Sequence, residues 1–403
     1  MKNILLLFVA MRRKENMMKK FLQKLFSIRN ETAKKDGFVL TKHKVITILG
    51  VKLKKKILTK ELMRPIIQAN NRLELLSKKN DNLLKLINLQ RGNVKVWEDN
   101  NPRDFINNPN IKKLYNGLSE EATKNLNKIL ERNRKVTQYY DKYKNFPNIN
   151  NCDIFDEEDR QDFEKNYNFY ECITVFERAS YYYDKQRKKG RVITDKTQFE
   201  PCVEVDKHGL DFLTNKNIGE GAILDIGAFD GCSSIMFREE FPENEIIAFE
   251  PQKDNFLNIK PNFELNKMKN ASIINLALGD QKGSITITNS GGGSRVGEGD
   301  EITQMDTLDN FVNENNLKVA LIKVDIEGAE QAFLKGAVNT IQKQAPVMLL
   351  SIYHNIDDFC KIKPMIEKMM ENSKYYYTFD FHQMLYPHGV LVDCMLLCEP
   401  HLK

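Results

Sequence analysis

The chain has few of the features that mark exported or membrane-spanning proteins. Its 403 residues contain 7 cysteines and no C-x-x-C pair, and an odd number of scattered cysteines favours reduced thiols and a cytoplasmic location. The apolar run near the start, Ile4–Ala10, is much shorter than the roughly 20 residues that span a bilayer. Arg12 and Arg13 follow it, where a secretory signal has small residues. We therefore expect neither export nor a membrane span.

Positive charge is concentrated at one end of the chain. Residues 1–60 hold 17 Lys and Arg against 3 Asp and Glu, a net charge of +14. The other residues carry 44 minus 52, or −8, so the overall charge of +6 hides this asymmetry. A basic segment on an acidic body predicts contact of that segment with a membrane surface or a polyanion. Enzymes that act on nucleic acid have a basic catalytic region, so we expect no nucleic-acid partner.

The basic segment, residues 1–60, predicts two small elements. Residues 17–30 are typical of a short amphipathic helix, which would contact the inner face of the membrane peripherally; the alternative is a helix packed on the protein or lying in solvent. Its apolar face would carry Phe21, Leu22, Leu25 and Phe26. Residues 42–56 alternate apolar and basic side chains around Gly50, which predicts a hairpin.

Residues 61–190 indicate mainly helical structure. In residues 61–92 the apolar positions from Leu62 to Ile87 follow the four-and-three spacing of a coiled coil, with Asn80 in the seam. This pattern predicts a homodimer through residues 62–90, the alternative being a helix that lies on the protein's own body. The following region, residues 93–190, predicts helices over residues 119–144 and 157–188.

From residue 191 onward short apolar runs alternate with helical segments. Such alternation predicts a parallel sheet with helices on both faces. The predicted strands are 222–226, 245–250, 271–278, 319–325 and 348–353, followed by an antiparallel pair at 375–380 and 392–399. The predicted helices begin at 232 or span 252–267, 308–315, 328–342 and 357–371.

The most informative stretch is the first of these strands and the turn after it. Residues 221–231, GAILDIGAFDG, end the strand on Asp225 and turn at Gly227 and Gly231. Ligands of open α/β sheets bind beyond the carboxyl ends of the strands, and glycine lets the backbone turn tightly and approach a ligand closely. Glu250 ends the next strand 25 positions after Asp225, near the spacing of a ribose-binding acid. The pattern therefore predicts a nucleotide-type cofactor.

A second group of polar residues follows the fourth and fifth predicted strands. Asp325, Glu327 and Glu330 come after the fourth strand, and His354 comes after the fifth. A dehydrogenase would not need three acids at that place. Oxygen ligands at one strand end can also bind a divalent ion, but the spacing D-x-E is too common to indicate one, so no metal is predicted.

Several blocks of this region together resemble one protein family. The blocks are GAILDIGAFDG, IIAFEPQKDNF, IINLALGD, TLDNFV, LIKVDIEGAEQAFLKGA and LLSIYHNIDDFCKIKPMIE. In order and spacing they resemble the FkbM family of S-adenosylmethionine-dependent methyltransferases, over about half of the chain. The resemblance implies that residues 191–403 form a seven-stranded Rossmann-like class I methyltransferase sheet, to which the preceding residues add a mainly helical N-terminal extension.

The resemblance also implies the cofactor and its contacts. S-adenosylmethionine would lie with its methionine part beside Asp225, Gly227 and Gly231 and with its ribose hydroxyls on Glu250. The adenine would meet Asp280. Asp230, the acid inside the glycine turn, is a further candidate for cofactor binding.

The function implied is O-methylation of a sugar hydroxyl in capsule, lipooligosaccharide or another surface glycan. The partner would be a glycan or a sugar nucleotide. Asp325, Glu327 and His354 are the candidate catalytic bases, and His354 is expected to be largely neutral because its ordinary pKa is about 6.5. Glu330 is interpreted as a helix cap. The alternatives are a methyltransferase acting on a lipid, a peptide or a small metabolite, and a non-catalytic scaffold that only binds the cofactor.

Overall fold

In the computed structural model the chain forms two units, residues 1–91 and residues 92–403. The structure describes residues 26–35, 38–48, 51–54, 108–143, 153–169, 173–175, 179–184, 189–194, 199–288, 297, 299, 301–384 and 394–403. The predicted coiled coil at residues 61–92 lies outside the described residues. So do residues 1–25, with most of the predicted amphipathic helix.

The first unit contains a three-stranded antiparallel sheet, β1 (Phe26–Lys35), β2 (Phe38–Ile48) and β3 (Val51–Lys54), in that order. β2 and β3 pair from Ile48↔Val51 outward, within the range where the sequence predicts a hairpin. The helix predicted over residues 17–30 is wrong in its last five residues, which belong to β1. Pairing with β2 satisfies the backbone of this segment along ten residues, and that outweighs the helical spacing of its apolar side chains.

A seven-stranded sheet forms the centre of the second unit, which confirms the predicted seven-stranded Rossmann-like sheet. Its strand order is β15-β16-β14-β13-β7-β8-β9. The five neighbouring strands β14, β13, β7, β8 and β9 are parallel to one another. β16 pairs antiparallel with β14 and with β15. The strands are β7 (Ala222–Ile226), β8 (Ile246–Phe249), β9 (Ala271–Ile274), β13 (Val319–Val324), β14 (Val347–Ser351), β15 (Tyr375–Gln383) and β16 (Cys394–Leu402).

Helices cover both faces of this sheet, which explains why β7, β13 and β14 are largely apolar and buried along their whole length. The helices are α5 (Cys232–Glu240), α6 (Lys253–Leu265), α7 (Leu308–Glu314), α8 (Glu330–Lys335), α9 (Val338–Gln344) and α10 (Ile356–Met369). The single helix predicted over residues 328–342 is wrong, because the chain breaks at Gly336 into α8 and α9. A Cβ at Gly336 would lie 1.9 Å from the carbonyl oxygen of Gly279, so only glycine permits this approach.

The predicted third strand, residues 271–278, is also divided. β9 ends at Ile274, and β10 (Ala277–Leu278) joins a separate small sheet with β12 (Glu301–Asp306) and β11 (Gly283–Ile287). The apolar run ASIINLAL, residues 271–278, gives no sign of this change of sheet because both of its halves form strands.

Helical segments of the N-terminal extension share the core of the sheet. They are α1 (Ile111–Leu114), α2 (Glu120–Tyr143) and α3 (Glu157–Phe169). The prediction of α2 is confirmed, and the Ser119 hydroxyl oxygen caps its first turn by accepting from the Ala122 amide at 3.1 Å. Leu126 and Ile129 of α2 belong to the same buried cluster as Leu224 of β7. The predicted boundary between residues 190 and 191 therefore falls inside one unit.

The helix predicted over residues 157–188 is wrong beyond Phe169, where α3 ends. After α3 the chain forms an antiparallel sheet of β4 (Ile173–Val175), β5 (Ala179–Asp184) and β6 (Lys189–Thr194). The three tyrosines at 181–183 lie on β5, and aromatic residues favour a pleated, half-buried surface. Tyr182 is buried, with its ring centroid 5.7 Å from that of Phe199. The chain then passes through α4 (Pro201–Glu204) and a 3-10 helix, Lys207–Phe212, into β7.

Among the described residues, no helix is both long enough and apolar enough to cross a bilayer.

Candidate active site

The strand order reverses direction between β7 and β13. The chain runs from β7 to β8 and β9 on one side, and β13 and β14 lie on the other. In open α/β sheets the ligand crevice lies at such a switch point, beyond the carboxyl ends of the strands. Four polar residues lie at or just beyond the carboxyl ends of these strands: Glu250 after β8, Asp225 near the end of β7, Asp325 after β13 and His354 after β14. The topology therefore brings all four to the same edge of the sheet, in that spatial order.

The turn after β7 depends on its two glycines. Gly227 has φ +77°, and a Cβ there would lie 1.8 Å from the carbonyl oxygen of Asp325. Gly231 has φ +84°, and its Cβ would lie 2.8 Å from the Phe263 ring. The left-handed backbone and the close contacts both require glycine. The amides of Gly227 and Ala228 each donate to the Phe249 carbonyl oxygen at 3.0 Å, which fixes the turn against β8.

Asp225 is completely enclosed by protein donors. Its Oδ2 accepts from the hydroxyls of Ser233 and Ser234, each at 2.6 Å, and its Oδ1 lies 3.2 Å from Lys323 Nζ. The side chain is 0% exposed. Asp225 holds the glycine turn and the start of α5 in place, and its direct contact with the cofactor stays a prediction.

Lys323 was missed by the sequence analysis. It lies on β13 beside Asp225, and its ammonium group donates to the Gly227 carbonyl oxygen at 2.7 Å. Burial disfavours the charged form, but the carboxylates of Asp225 and Asp325 outweigh it and hold the pKa of Lys323 above its ordinary value. The sequence signal for a buried ion pair was the single lysine within the otherwise apolar strand VALIKV, since a lysine is rarely buried unless it is paired.

Glu250 lies at the end of β8 and contacts the glycine turn. Its Oε2 accepts from the Phe229 amide at 2.9 Å and its Oε1 from the Gln252 amide at 3.0 Å. Burial raises the pKa of Glu250 to about 7, although these hydrogen bonds act in the opposite direction. The carboxylate is therefore positioned by the same backbone that forms the turn, at the place expected for a ribose-binding acid.

Asp230 has one satisfied and one unsatisfied oxygen. Oδ1 accepts from the Cys232 amide at 3.0 Å at the start of α5. Oδ2 is buried and has no hydrogen-bond partner among the described residues. Burial raises the pKa of Asp230 to about 6. A buried carboxylate oxygen without a hydrogen-bond partner is uncommon in native proteins, so this oxygen is a candidate acceptor for a donor group of a bound molecule.

The structure does not bring Asp280 to the tip of the third central strand. That strand, β9, ends at Ile274, whereas Asp280 follows β10 of the small sheet and is exposed. Its contact with adenine stays a prediction.

The three candidate catalytic residues lie together. His354 Nε2 is 3.3 Å from Asp325 Oδ1 and 3.6 Å from Glu327 Oε1. The imidazole is 4% exposed, while the two carboxylate side chains are 21% and 24% exposed, so the acids face the crevice more openly than the histidine. Glu327 has φ +59°, a left-handed conformation that is strained for a residue with a side chain and is found most often at functional sites.

Glu330 holds the other side of the imidazole. Its Oε1 lies 3.0 Å from His354 Nδ1 and accepts from the Ile326 amide at 2.9 Å. Glu330 is the first residue of α8 and is buried. It therefore fixes both the turn after β13 and the orientation of His354.

The charge state of His354 differs from the expectation. Burial disfavours the imidazolium, but Glu330, Asp325 and Glu327 outweigh burial and raise the pKa of His354 well above its ordinary value. The pKa of Asp325 is lowered in turn, because His354 and Lys323 outweigh the effect of its burial. Both shifts favour the charged forms of the two groups, whereas the ordinary pKa of histidine led to the expectation of a largely neutral His354.

A second histidine at this edge was also missed. His208 lies in the 3-10 helix with φ +51° and is 5% exposed. Burial, followed by the charge of Lys323, lowers its pKa to about 4. Its Nε2 is buried without a hydrogen-bond partner among the described residues. Neither spacing nor periodicity in the sequence marks this residue.

The comparisons with known proteins place a family domain over the site. Residues 225–385 match the model of the methyltransferase FkbM domain, so this part of the chain is a methyltransferase domain. Methyltransferase 1 of Beauveria bassiana (strain ARSEF 2860) is 24% identical in an alignment of 173 residues that covers 36% of this chain and 70% of that protein.

Solved structures of methyltransferases are also similar to the chain. Methyltransferase FkbM from Methylobacillus flagellatus KT aligns over 47% of this chain and 47% of its own, with 16% identity and a TM-score of 0.36. TYW2 of M. jannaschii, solved in complex with AdoMet, aligns over 57% of this chain and 89% of its own, with 10% identity and a TM-score of 0.34.

Proposed function

We propose that this protein transfers a methyl group from S-adenosylmethionine to a hydroxyl group of a sugar in a bacterial surface glycan. One observation carries the proposal: the two sides of the switch point differ in chemistry. Glu250 and the glycine turn lie on the β7–β8 side, and the cluster of Asp325, Glu327 and His354 lies on the β13–β14 side. The first side suits a nucleoside cofactor, and the second suits removal of a proton from an acceptor.

The residues present fit S-adenosylmethionine. Glu250 would accept from the ribose hydroxyls, and the turn from Gly227 to Gly231 leaves room for the methionine part because no Cβ can occupy it. The orphaned Oδ2 of Asp230 would accept from the ammonium group of that part. When bound, the cofactor supplies an electrophilic methyl carbon on a sulfonium.

The chain's own contribution to the reaction is positioning and proton removal. The acceptor oxygen must attack in line, forming an O–C bond as the C–S bond breaks, so alignment of the reacting atoms contributes most of the acceleration. A hydroxyl is a weak nucleophile at neutral pH, and its proton would pass to Asp325 or Glu327, whose carboxylates face the crevice. His354 and Glu330 hold these acids in place.

A sugar acceptor is favoured by the polarity of the β13–β14 side and by the resemblance stated above. Two carboxylates and an imidazolium form hydrogen bonds readily to a molecule with many hydroxyls. A lipid would instead need an apolar groove beside the cluster. Methylation of a peptide or a small metabolite is the remaining alternative, and product analysis separates all three.

Deletion of the gene is expected to remove one O-methyl group from a surface glycan. Mass spectrometry of purified capsule and lipooligosaccharide from the deletion strain would show loss of one methylene mass per repeat or per chain. Complementation with the wild-type gene should restore it, and complementation with Glu327→Gln should not. Unchanged glycan spectra in the deletion strain would contradict a glycan acceptor.

The affinity for S-adenosylmethionine is expected to rise by about tenfold from pH 6 to pH 8. Glu250 accepts from ribose hydroxyls most strongly as a carboxylate, and its pKa of about 7 makes it mostly protonated at pH 6 and mostly ionised at pH 8. Calorimetric titrations across this range measure the effect. Glu250→Gln should bind more weakly with a flatter profile, whereas Glu245→Gln, an exposed acid before the same strand, should keep the wild-type profile. A pH-independent affinity in the wild type would contradict this role of Glu250.

A further inference from the structure

We propose that Asp325, Glu327 and His354 together bind one divalent cation. One carboxylate oxygen from each acid and one imidazole nitrogen lie within 4.8 Å of one another. The spacing D-x-E did not indicate a metal in the sequence, but the fold adds a histidine from the next strand. The resulting donor set contains two oxygens and one nitrogen, which suits Mg²⁺, Mn²⁺ and related divalent ions.

The distances between the ligand atoms fit a shared ion. Ligands at about 2.1 Å from a metal lie about 3.0 Å apart in neighbouring octahedral positions and about 3.4 Å apart in a tetrahedron. The Nε2 atom of His354 is 3.3 Å from Asp325 Oδ1 and 3.6 Å from Glu327 Oε1. Side-chain adjustments of a few tenths of an ångström would therefore complete the coordination.

The Nδ1 atom of His354, the ring nitrogen other than Nε2, contacts a carboxylate, as it does in many metal sites. Metal-binding histidines commonly donate their second ring N–H to a carboxylate, which fixes the tautomer and the ring orientation. His354 Nδ1 lies 3.0 Å from Glu330 Oε1, and the same oxygen accepts from the Ile326 amide. Glu330 thereby leaves Nε2 directed at the two crevice-facing acids, where the cation would take the place of the Nε2 proton.

A second observation points to a missing molecule at this edge. His208 is 5% exposed, and its Nε2 is buried with no hydrogen-bond partner among the described residues. It is close enough for the charges of Asp325 and Asp225 to act on it. A water or hydroxyl group bound to the cation would supply the partner that His208 lacks.

The catalytic use of this cation rests on the proposed methyl transfer. A hydroxyl bound to a divalent ion has a lowered pKa and a fixed orientation, so the cation would hold the acceptor oxygen and ease transfer of its proton to the second, non-ligating carboxylate oxygen of Asp325 or Glu327. The open sides of Asp325 and Glu327 leave coordination positions for the acceptor.

Titration of the full chain with Mn²⁺, followed by the electron paramagnetic resonance signal of free Mn²⁺, tests the site. The wild type should bind one Mn²⁺, and Glu327→Gln should weaken binding by about tenfold or more, since the charge of one of the three ligands is lost. Asp357→Asn, which changes an exposed acid paired with Lys361 outside the cluster, should bind as the wild type does. Thermal unfolding midpoints would show that the variants remain folded.

Two results would overturn the proposal: absence of Mn²⁺ binding by the wild type, or equal binding by Glu327→Gln. Calorimetry with S-adenosylmethionine in the presence of a chelator separates this outcome from failure of the proposed function. Cofactor binding without Mn²⁺ binding removes only the cation. Mn²⁺ binding without any cofactor binding supports the cation site and removes methyl transfer.

Discussion

Replacement of Asp225 by alanine is expected to lower the free energy of unfolding by about 3–5 kcal/mol, because it leaves the ammonium group of Lys323 buried without its partner. Lys323 is 3% exposed and Asp225 is 0% exposed, so water does not replace the lost carboxylate. The hydroxyls of Ser233 and Ser234 lose their acceptor as well. Denaturant unfolding, monitored by circular dichroism, measures the change.

An exposed ion pair provides the matched control for Asp225. Glu220 and Lys318 lie 3.3 Å apart, but their side chains are 93% and 67% exposed, so Glu220→Ala should cost less than about 1 kcal/mol. The double variant Asp225→Ala with Lys323→Met should recover part of the loss, because both buried charges are then removed. Equal stability of Asp225→Ala and the wild type would contradict the structural role of this carboxylate.

Replacement of Gly227 by alanine is expected to cost about 3 kcal/mol or more and to abolish cofactor binding. The left-handed backbone alone costs a residue with a Cβ about 1–2 kcal/mol. The added methyl group would also lie 1.8 Å from the Asp325 carbonyl oxygen, which forces the turn and β13 apart and adds the cost of overpacking. Displacement of this turn would move the Phe229 amide away from Glu250.

Gly219→Ala isolates the contribution of the close contact. Gly219 has φ +74°, nearly that of Gly227, but a Cβ there would meet nothing within 4 Å. It should therefore lose only the backbone part of the stability and keep its affinity for S-adenosylmethionine. Similar losses of stability in the two variants would show that the contact with Asp325 has no effect.

Much of the sheet could be predicted from the sequence because its strands are buried on both faces. β7, β13 and β14 are short, largely apolar segments, and each is followed by a helical segment. The positions of Glu250, Asp325 and His354 at strand ends then follow from the parallel topology. In these segments the hydrophobic pattern and the tertiary structure favour the same conformation, so the strands could be predicted from one sequence.

The structure of residues 170–194 could not be predicted in the same way. A run of tyrosines at 181–183 fits either the face of a helix or an exposed strand, and pairing with β4 and β6 decides between them. The division of residues 271–278 into β9 and β10 likewise depends on partners distant in sequence, since β10 pairs with β12. Strand assignment depends on such partners more than helix assignment does.

The chemistry of the site was predictable in its residue types but not in its protonation. Glu330 was interpreted as a helix cap, and the structure places it against His354 as well. Three carboxylates around one imidazole raise the pKa of His354, and no spacing in the sequence reveals that arrangement. The burial of Asp225 against Lys323 is a tertiary feature of the same kind.

Calorimetric titration of S-adenosylmethionine into the full chain at pH 8 tests the adenosyl site most directly, with Glu250→Ala as the comparison. We predict saturable binding at one site in the wild type and loss of that binding in the variant, whose fold should persist because Glu250 carries no buried ion pair among the described residues. Absence of saturable binding in the wild type would contradict a cofactor site at the glycine turn.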